Sequence, residues 1–202
     1  LGKEVTLYSP DINTKQFKHL PGVKKIQRTP KSEYDLAIFL DCSDQNRIAE
    51  PTNFPNTKKI INIDHHQDNT QFGNMNLVLK ISSVGEILFN LYKALNVPLT
   101  KESAINIYAA ICFDTGNFKF SNTSPDTFLA ASELLKMNIN TTKISEWIFE
   151  EKPKNYFEDI KQGLNNMYLD SDYPFMIVQI PHHPHIAGES TINFFRQLEN
   201  IE

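Results

Sequence analysis

The stretch KKIINIDHHQDN, residues 58–69, decides the fold class that this sequence predicts. Lysines precede three closely spaced isoleucines, and the apolar run stops at Asp64, His65 and His66. A β-branched run bounded by polar residues in this way is typical of a buried parallel strand. We therefore expect the strand to place one carboxylate and two imidazoles at its carboxyl end, which is where open α/β sheets bind ligands.

An acid beside two histidines is a donor set that suits Mn²⁺, Fe²⁺ or Zn²⁺, because oxygen and nitrogen ligands together do not favour softer metals. The alternative interpretation is a surface loop with one structural histidine. The triplet alone does not choose between the two, so a metal site needs further ligands from elsewhere in the chain.

Composition indicates an ordinary globular protein of 202 residues with a net charge of -4. A chain of this length can hold one medium α/β domain, or one domain and a piece of another. The acidic balance argues against a broad nucleic-acid-binding surface, which needs clustered Lys and Arg. Cys42 and Cys112 lie far apart without C-x-x-C spacing, which is typical of a reduced, cytoplasmic protein. No run approaches the ~20 apolar residues that a membrane helix needs.

Two more acids follow apolar elements. The run YDLAIFL, residues 34–40, predicts a strand that ends at Asp41, and a helical periodicity that begins at residue 100 ends at Asp114. We expect Asp41, His65 and Asp114 to converge at one edge of the sheet as metal ligands. Any one of these acids taken alone is better explained as a cap, but together they favour a metal site with open positions for water and substrate.

The remaining patterns complete an α/β fold with a mostly parallel sheet and helices on both faces. Helices are predicted over 84–92, 100–114, 127–137, 142–149, 154–169 and 191–198, and further strands over 5–8 and 173–180. The polar residues 69–76 are interpreted as a loop. The main domain is expected to span 1–150, followed by a linker helix over 151–172 and the beginning of a second, smaller α/β domain over 173–202.

Three motifs, in this order, resemble those of the DHH phosphoesterase superfamily. They are L-D-C-S-D at 40–44, I-D-H-H-Q-D-N at 63–69 and F-D-T-G-N-F at 113–118. Within the superfamily, DHH-x-x-N-x-x-F-G at 64–73 and T-G-N-F-x-F-S-N-T-S-P at 115–125 are most similar to the bacterial nanoRNase/pAp phosphatase group.

This resemblance implies a metal-dependent phosphoesterase with two divalent ions, usually Mn²⁺. Asp41 would bridge the ions, and His65 and Asp114 would complete the ligands of one of them. His66 would face the substrate phosphate during catalysis, and Asp64 would orient a histidine.

The resemblance also implies the substrate class and the partners. A metal-bound hydroxide would hydrolyse pAp, nanoRNA or cyclic dinucleotides, as a phosphatase or an exonuclease does. Arg47 would contact the substrate phosphate or only brace its own loop. A homodimer is implied as well. The alternatives are a pyrophosphatase or exopolyphosphatase, and a catalytically impaired nucleotide-binding module.

The sequence departs from the family pattern at both ends. The family's first motif, a histidine followed by a pair of aspartates and a D-A-x-G-S turn, is expected to precede Leu1, and its glycine-rich G-G-G-H element is expected to follow Glu202. A further cluster, His182, His183 and His185, lies between prolines. A solvated loop is the interpretation that we favour for it, with a separate metal site as the alternative.

Overall fold

The structure is a computed structural model that describes residues 2–9, 17–47, 56–170, 173–180 and 188–198. The chain divides into two compact units, Leu1–Ile148 and Phe149–Glu202. The assignment of functional domains to the chain stays a prediction. The three histidines at 182, 183 and 185 lie outside the described residues.

A parallel sheet forms the base of the first unit. The strands of this unit are β1 (Glu33–Tyr34), β2 (Ala37–Leu40), β3 (Asn56–Thr57), β4 (Ile60–Asp64) and β5 (Met75–Val78). The sheet has the order β2-β4-β5, while β1 and β3 form a separate parallel pair. In the register, Leu40 lies beside Ile63 and Asp64 beside Val78, so the three strands end at one edge. The predicted α/β class is confirmed.

Helices follow the sheet along the chain. They are α1 (Val84–Ala94), α2 (Lys101–Asp114), α3 (Pro125–Leu135) and α4 (Thr141–Ser145), after which a π-helical turn covers Glu146–Glu150. The side chains of Ser83, Thr100 and Ser124 accept hydrogen bonds from backbone N–H groups three residues further on. These hydrogen bonds satisfy N–H groups that a helix start leaves without partners, and they explain why the helices begin where they do.

The hydrophobic core lies among these helices and β4. Ile87, Ile111 and Leu134 are fully buried, one from each of the first three helices. Gly85 permits α1 and α2 to approach closely, because a Cβ atom there would lie only 2.9 Å from the carbonyl oxygen of Ile107. Ile63 packs with the first turn of α1 and so joins the helices to the sheet. This packing fixes both α1 and the end of α2 relative to the sheet edge.

The second unit combines two helices with an antiparallel pair of strands. Its elements are α5 (Lys154–Asn165), β6 (Met167–Leu169), β7 (Met176–Val178) and α6 (Gly188–Phe195). The prediction of one helix over 154–169 was wrong at its end, since Met167–Leu169 pairs with β7 and this tertiary pairing overrides the helical periodicity. Among the described helices, none combines the length and apolar character that would let it cross a membrane.

Two other differences concern strands. The predicted strand over 5–8 is reduced to a single bridge between Tyr8 and Gln27. The predicted loop over 69–76 contains the start of β5, which pairs with the central strand. Residues of β5 such as Met75 and Asn76 are exposed, so the strand lacks the apolar alternation that would have revealed it.

Candidate metal centre

The carboxyl edge of the sheet brings the predicted acids and histidines together. Asp41 directly follows β2, and its backbone N–H donates to the carbonyl oxygen of Ile63 at 3.0 Å. Asp64 is the last residue of β4, so His65 and His66 leave the sheet beside Asp41. Asp41 adopts a left-handed backbone with φ 60°, an uncommon conformation for a residue with a side chain.

His65 lies between two carboxylates from different elements. Its Nε2 atom is 3.3 Å from Asp41 Oδ1 and 3.9 Å from Asp114 Oδ2, and Asp114 ends α2. Asp41 Oδ1 also lies 3.6 Å from His66 Nδ1. The structure therefore places Asp41, His65 and Asp114 together, as the sequence predicts, while their roles as metal ligands stay a prediction.

The backbone fixes the orientation of the His65 ring. Its Nδ1 atom lies 3.3 Å from the carbonyl oxygen of Ile81, which can only accept a hydrogen bond. The proton on Nδ1 directs Nε2 towards the carboxylates. The hydrogen bond to Asp41 raises the pKa of His65 to about 9, burial opposes this shift, and the charge of Asp114 adds to it. The site therefore stabilises a positive charge at Nε2.

Asp64 is fully buried, and hydrogen bonds engage both of its carboxylate oxygens. Oδ1 accepts from the backbone N–H of His65 and from His66 Nδ1, each at 2.8 Å, and Oδ2 accepts from Asn69 Nδ2 at 2.5 Å. Burial raises the pKa of Asp64, but the hydrogen bonds from His66, Asn69 and His65 outweigh it and lower the pKa overall. These contacts suit a carboxylate that orients His66 and leave it less suited to bind a metal directly.

The donor set fits a divalent transition metal. Asp41, Asp64, His65 and His66 each offer a ligand atom, and these four atoms all lie within 4.8 Å of one another. Carboxylate oxygen and imidazole nitrogen are the ligands that manganese, iron and zinc share. The geometry therefore allows a metal ion at the sheet edge.

Arg47 lies on the loop that follows β2. Its Nη2 atom is 3.4 Å from Asp68 Oδ2, and the two side chains are 61% and 65% exposed. This ion pair links the loop after β2 to the loop after β4, and exposed pairs of this kind contribute little to stability. The role of Arg47 in phosphate binding stays a prediction.

The sequence analysis assigns no role to the residues that support the cluster, although Asn69 belongs to a quoted motif. Asn62, Asn69 and the Ile81 carbonyl group all contact the cluster or its neighbours. A signal existed for Asn62, which interrupts a run of isoleucines at a position that is fully buried in the structure. A polar residue in a buried strand needs hydrogen-bond partners, and those partners lead to the site.

A parallel α/β sheet with an Asp-His-His triplet and two further acids at its edge is the arrangement expected of a DHH phosphoesterase domain. No protein-family model matches the chain. The chain is 30% identical, over 131 residues, to the bifunctional oligoribonuclease and PAP phosphatase NrnA of Thermus thermophilus. This match covers 64% of the chain and 39% of that protein. The chain is 33% identical, over 121 residues, to the NrnA protein of Bacillus subtilis, with coverages of 58% and 38%.

The chain thus spans about two-fifths of the length of these curated relatives. Its structure is similar to the crystal structure of an exopolyphosphatase-related protein from Bacteroides fragilis, with a TM-score of 0.85 and 22% identity. That match covers 98% of this chain and 65% of the other, and it shows the fold. Together these findings confirm the resemblance to the DHH superfamily that the motifs predict.

Proposed function

We propose that the protein is a metal-dependent phosphoesterase that hydrolyses phosphate esters of small nucleotides or short oligonucleotides, such as pAp and nanoRNA. The observation that carries this proposal is the meeting of the three proposed ligands at the edge of the sheet, where His65 Nε2 lies 3.3 Å from Asp41 Oδ1 and 3.9 Å from Asp114 Oδ2. The names of the relatives, oligoribonuclease and PAP phosphatase, support the substrate class.

Asp41, His65 and Asp114 would hold the metal, because they approach one another from the ends of three elements. A divalent ion in this place supplies a water molecule of lowered pKa and neutralises charge on the phosphate. His65 is already directed towards both acids by its contact with Ile81.

His66 would act on the substrate through Nε2. Its Nδ1 atom is held by Asp64, so Nε2 is the ring nitrogen that can exchange a proton with a phosphate oxygen. The side chain is 39% exposed, which gives the substrate access. Arg47 would add a cation for phosphate binding when it exchanges Asp68 for the substrate.

Hydrolysis by the whole protein in the presence of Mn²⁺ tests the proposal. The panel contains pAp, a 5′-phosphorylated dinucleotide, cyclic-di-AMP and pyrophosphate. We expect turnover of pAp and the dinucleotide, and loss of this turnover in Asp41→Ala. The matched control is Asp35→Ala, which removes a 91% exposed acid outside the site and should keep wild-type rates.

The other outcomes separate the alternatives. If the protein hydrolyses pyrophosphate alone, the assignment of the metal site still holds, but the substrate is pyrophosphate and not a nucleotide. A protein that binds Mn²⁺ and hydrolyses none of the four compounds would contradict the proposal. Equal activity in Asp41→Ala and wild type would contradict the assignment of the site.

A further inference from the structure

Asn69 places its side-chain amide nitrogen among three oxygen atoms. Nδ2 lies 2.5 Å from Asp64 Oδ2, 2.8 Å from Asn62 Oδ1 and 3.2 Å from the carbonyl oxygen of Cys42. Its Oδ1 atom accepts from the backbone N–H of Gln71 at 2.7 Å. Because a carboxylate and a carbonyl oxygen are acceptors only, the amide must present its NH₂ group to them. The chemistry of the neighbours thus fixes this orientation.

Asn62 supports that arrangement from the middle of β4. It is fully buried, and its Nδ2 atom donates to the carbonyl oxygen of Cys42 at 2.9 Å. Its own Oδ1 atom therefore faces Asn69 as an acceptor. A buried amide is costly unless it is hydrogen-bonded, and here both of its ends have partners. The two asparagines link the strand to the loops that follow β2 and β4.

The Asp64 carboxylate depends on this amide nitrogen. Oδ1 holds both histidine contacts, whereas the hydrogen bond to Oδ2 comes from Asn69. A fully buried carboxylate oxygen that loses its donor keeps the whole cost of its desolvation. Without Asn69, the Asp64 carboxylate would rotate towards another hydrogen-bond donor. His66 Nδ1 would then lose the acceptor that fixes its position.

We infer that Asn69 is a positioning residue, which holds Asp64 so that His66 keeps its proton on Nδ1 and presents Nε2 to the substrate. The catalytic part of this inference, that His66 presents Nε2 to a substrate, rests on the proposed function. The structural part concerns the protein's own hydrogen bonds and can be measured without metal or substrate.

The sharpest variant is Asn69→Asp, which keeps the size and shape of the side chain but replaces the NH₂ donor with oxygen. The matched control is Asn76→Asp. Asn76 also uses both ends of its amide, since Oδ1 accepts from the backbone N–H of Gly73 at 3.0 Å and Nδ2 donates to the carbonyl oxygen of Gly73 at 2.9 Å. Asn76 lies within β5 and its amide bonds the backbone of Gly73, so this exchange should leave the contact between Asn69 and Asp64 unchanged.

The first readout is the tautomer of His66, measured by ¹⁵N NMR of the metal-free protein at a pH where this histidine is neutral. The wild type and Asn76→Asp should show the proton on Nδ1. Asn69→Asp should shift a substantial fraction to the tautomer with the proton on Nε2. An unchanged tautomer in Asn69→Asp, or an equal change in the control, would overturn the inference.

The second readout is the pair of kinetic constants kcat and KM, measured for the wild type and both variants with pAp and Mn²⁺. Loss of a supporting hydrogen bond of this kind should reduce kcat on the order of 10–100-fold. KM should change much less, since Asn69 contacts Asp64 and no substrate group is assigned to it. If the wild type hydrolyses no phosphate ester, the proposed function fails while the NMR result still decides the role of Asn69.

Discussion

Acidic side chains have different partners in the helical layer and at the sheet edge of the first unit. In the helical layer, the buried carboxylate of Glu86 accepts hydrogen bonds from the hydroxyl groups of Ser82 and of Thr127, the latter at 2.8 Å. At the sheet edge, three carboxylates surround two imidazoles. Neutral hydroxyl groups therefore hold the carboxylate of Glu86, whereas the carboxylates at the sheet edge would gain from an added cation. We infer that stability comes mainly from the helices and that chemistry is concentrated at the edge.

The largest effect should come from the helical layer. Leu134 is fully buried in α3, so Leu134→Ala should leave a cavity and lower the free energy of unfolding by about 2–5 kcal/mol. Leu129 lies in the same helix but is 63% exposed, and Leu129→Ala should change the free energy of unfolding by less than about 0.5 kcal/mol. Urea unfolding of both variants measures the difference.

The same two leucine variants also test whether the helical layer affects metal binding at the sheet edge. If stability and chemistry are separate, folded Leu134→Ala should bind Mn²⁺ as tightly as the wild type. Equal destabilisation by both leucine variants would show that α3 does not contribute its inner face to the core. Weakened Mn²⁺ binding by the folded variant would show that the helical layer also controls the site.

The helical layer was largely predictable from sequence, since its signals are local. Apolar residues at helical spacing predict three helices whose starts lie within two residues of the observed starts at Val84, Lys101 and Pro125. The exposed side of α3 was less predictable. Phe128 matches the apolar periodicity, but it is 56% exposed and stacks on Phe118 with ring centroids 5.3 Å apart.

The sheet edge was predictable in its main residues only. Asp41, Asp64, His65 and Asp114 could be proposed because each follows an apolar element and matches a motif. The contacts of Asn69 and of the Ile81 carbonyl group could not. Asn69 reaches Asn62 on β4 and the Cys42 carbonyl group in the loop after β2, and Ile81 approaches His65 from the segment after β5. Sequence patterns report local structure and give little information on such tertiary contacts.

A second prediction concerns the charge at the sheet edge. In the metal-free protein the pKa of His65 is raised to about 9, so at pH 7 a proton occupies the nitrogen that would bind metal. Metal binding must release it, and Mn²⁺ affinity should rise about tenfold per pH unit up to about pH 9 and then level off. Calorimetric titrations in buffers with different ionisation enthalpies would count the released proton.

Stability should show the opposite dependence on pH. The folded-state pKa of His65 lies above its ordinary value of 6.5, so its proton stabilises the metal-free fold fully below about pH 6.5. This contribution is lost as the pH rises through 9. Mn²⁺ affinity that does not change between pH 6.5 and 9 would contradict the placement of His65 between Asp41 and Asp114.

The smallest effect compares two residues with left-handed backbones, Asp41 with φ 60° and Asn96 with φ 52°. Asn96 follows α1, where the backbone N–H of Val97 donates to the carbonyl oxygen of Tyr92 at 3.0 Å, a helix ending that favours glycine. Asn96→Gly should therefore raise the free energy of unfolding by a few tenths to about 1 kcal/mol, without changing Mn²⁺ affinity.

The control for this exchange is Asn90→Gly, in the exposed interior of α1, which should lower the free energy of unfolding by about 0.5 kcal/mol. Opposite signs for the same substitution would show that the left-handed backbone, and not the residue type, decides the effect. Asp41→Gly relieves the same backbone conformation but removes a predicted metal ligand, so it should lose Mn²⁺ binding whatever its stability. If Asp41→Gly bound Mn²⁺ as well as Asn96→Gly does, the carboxylate of Asp41 would not be a metal ligand.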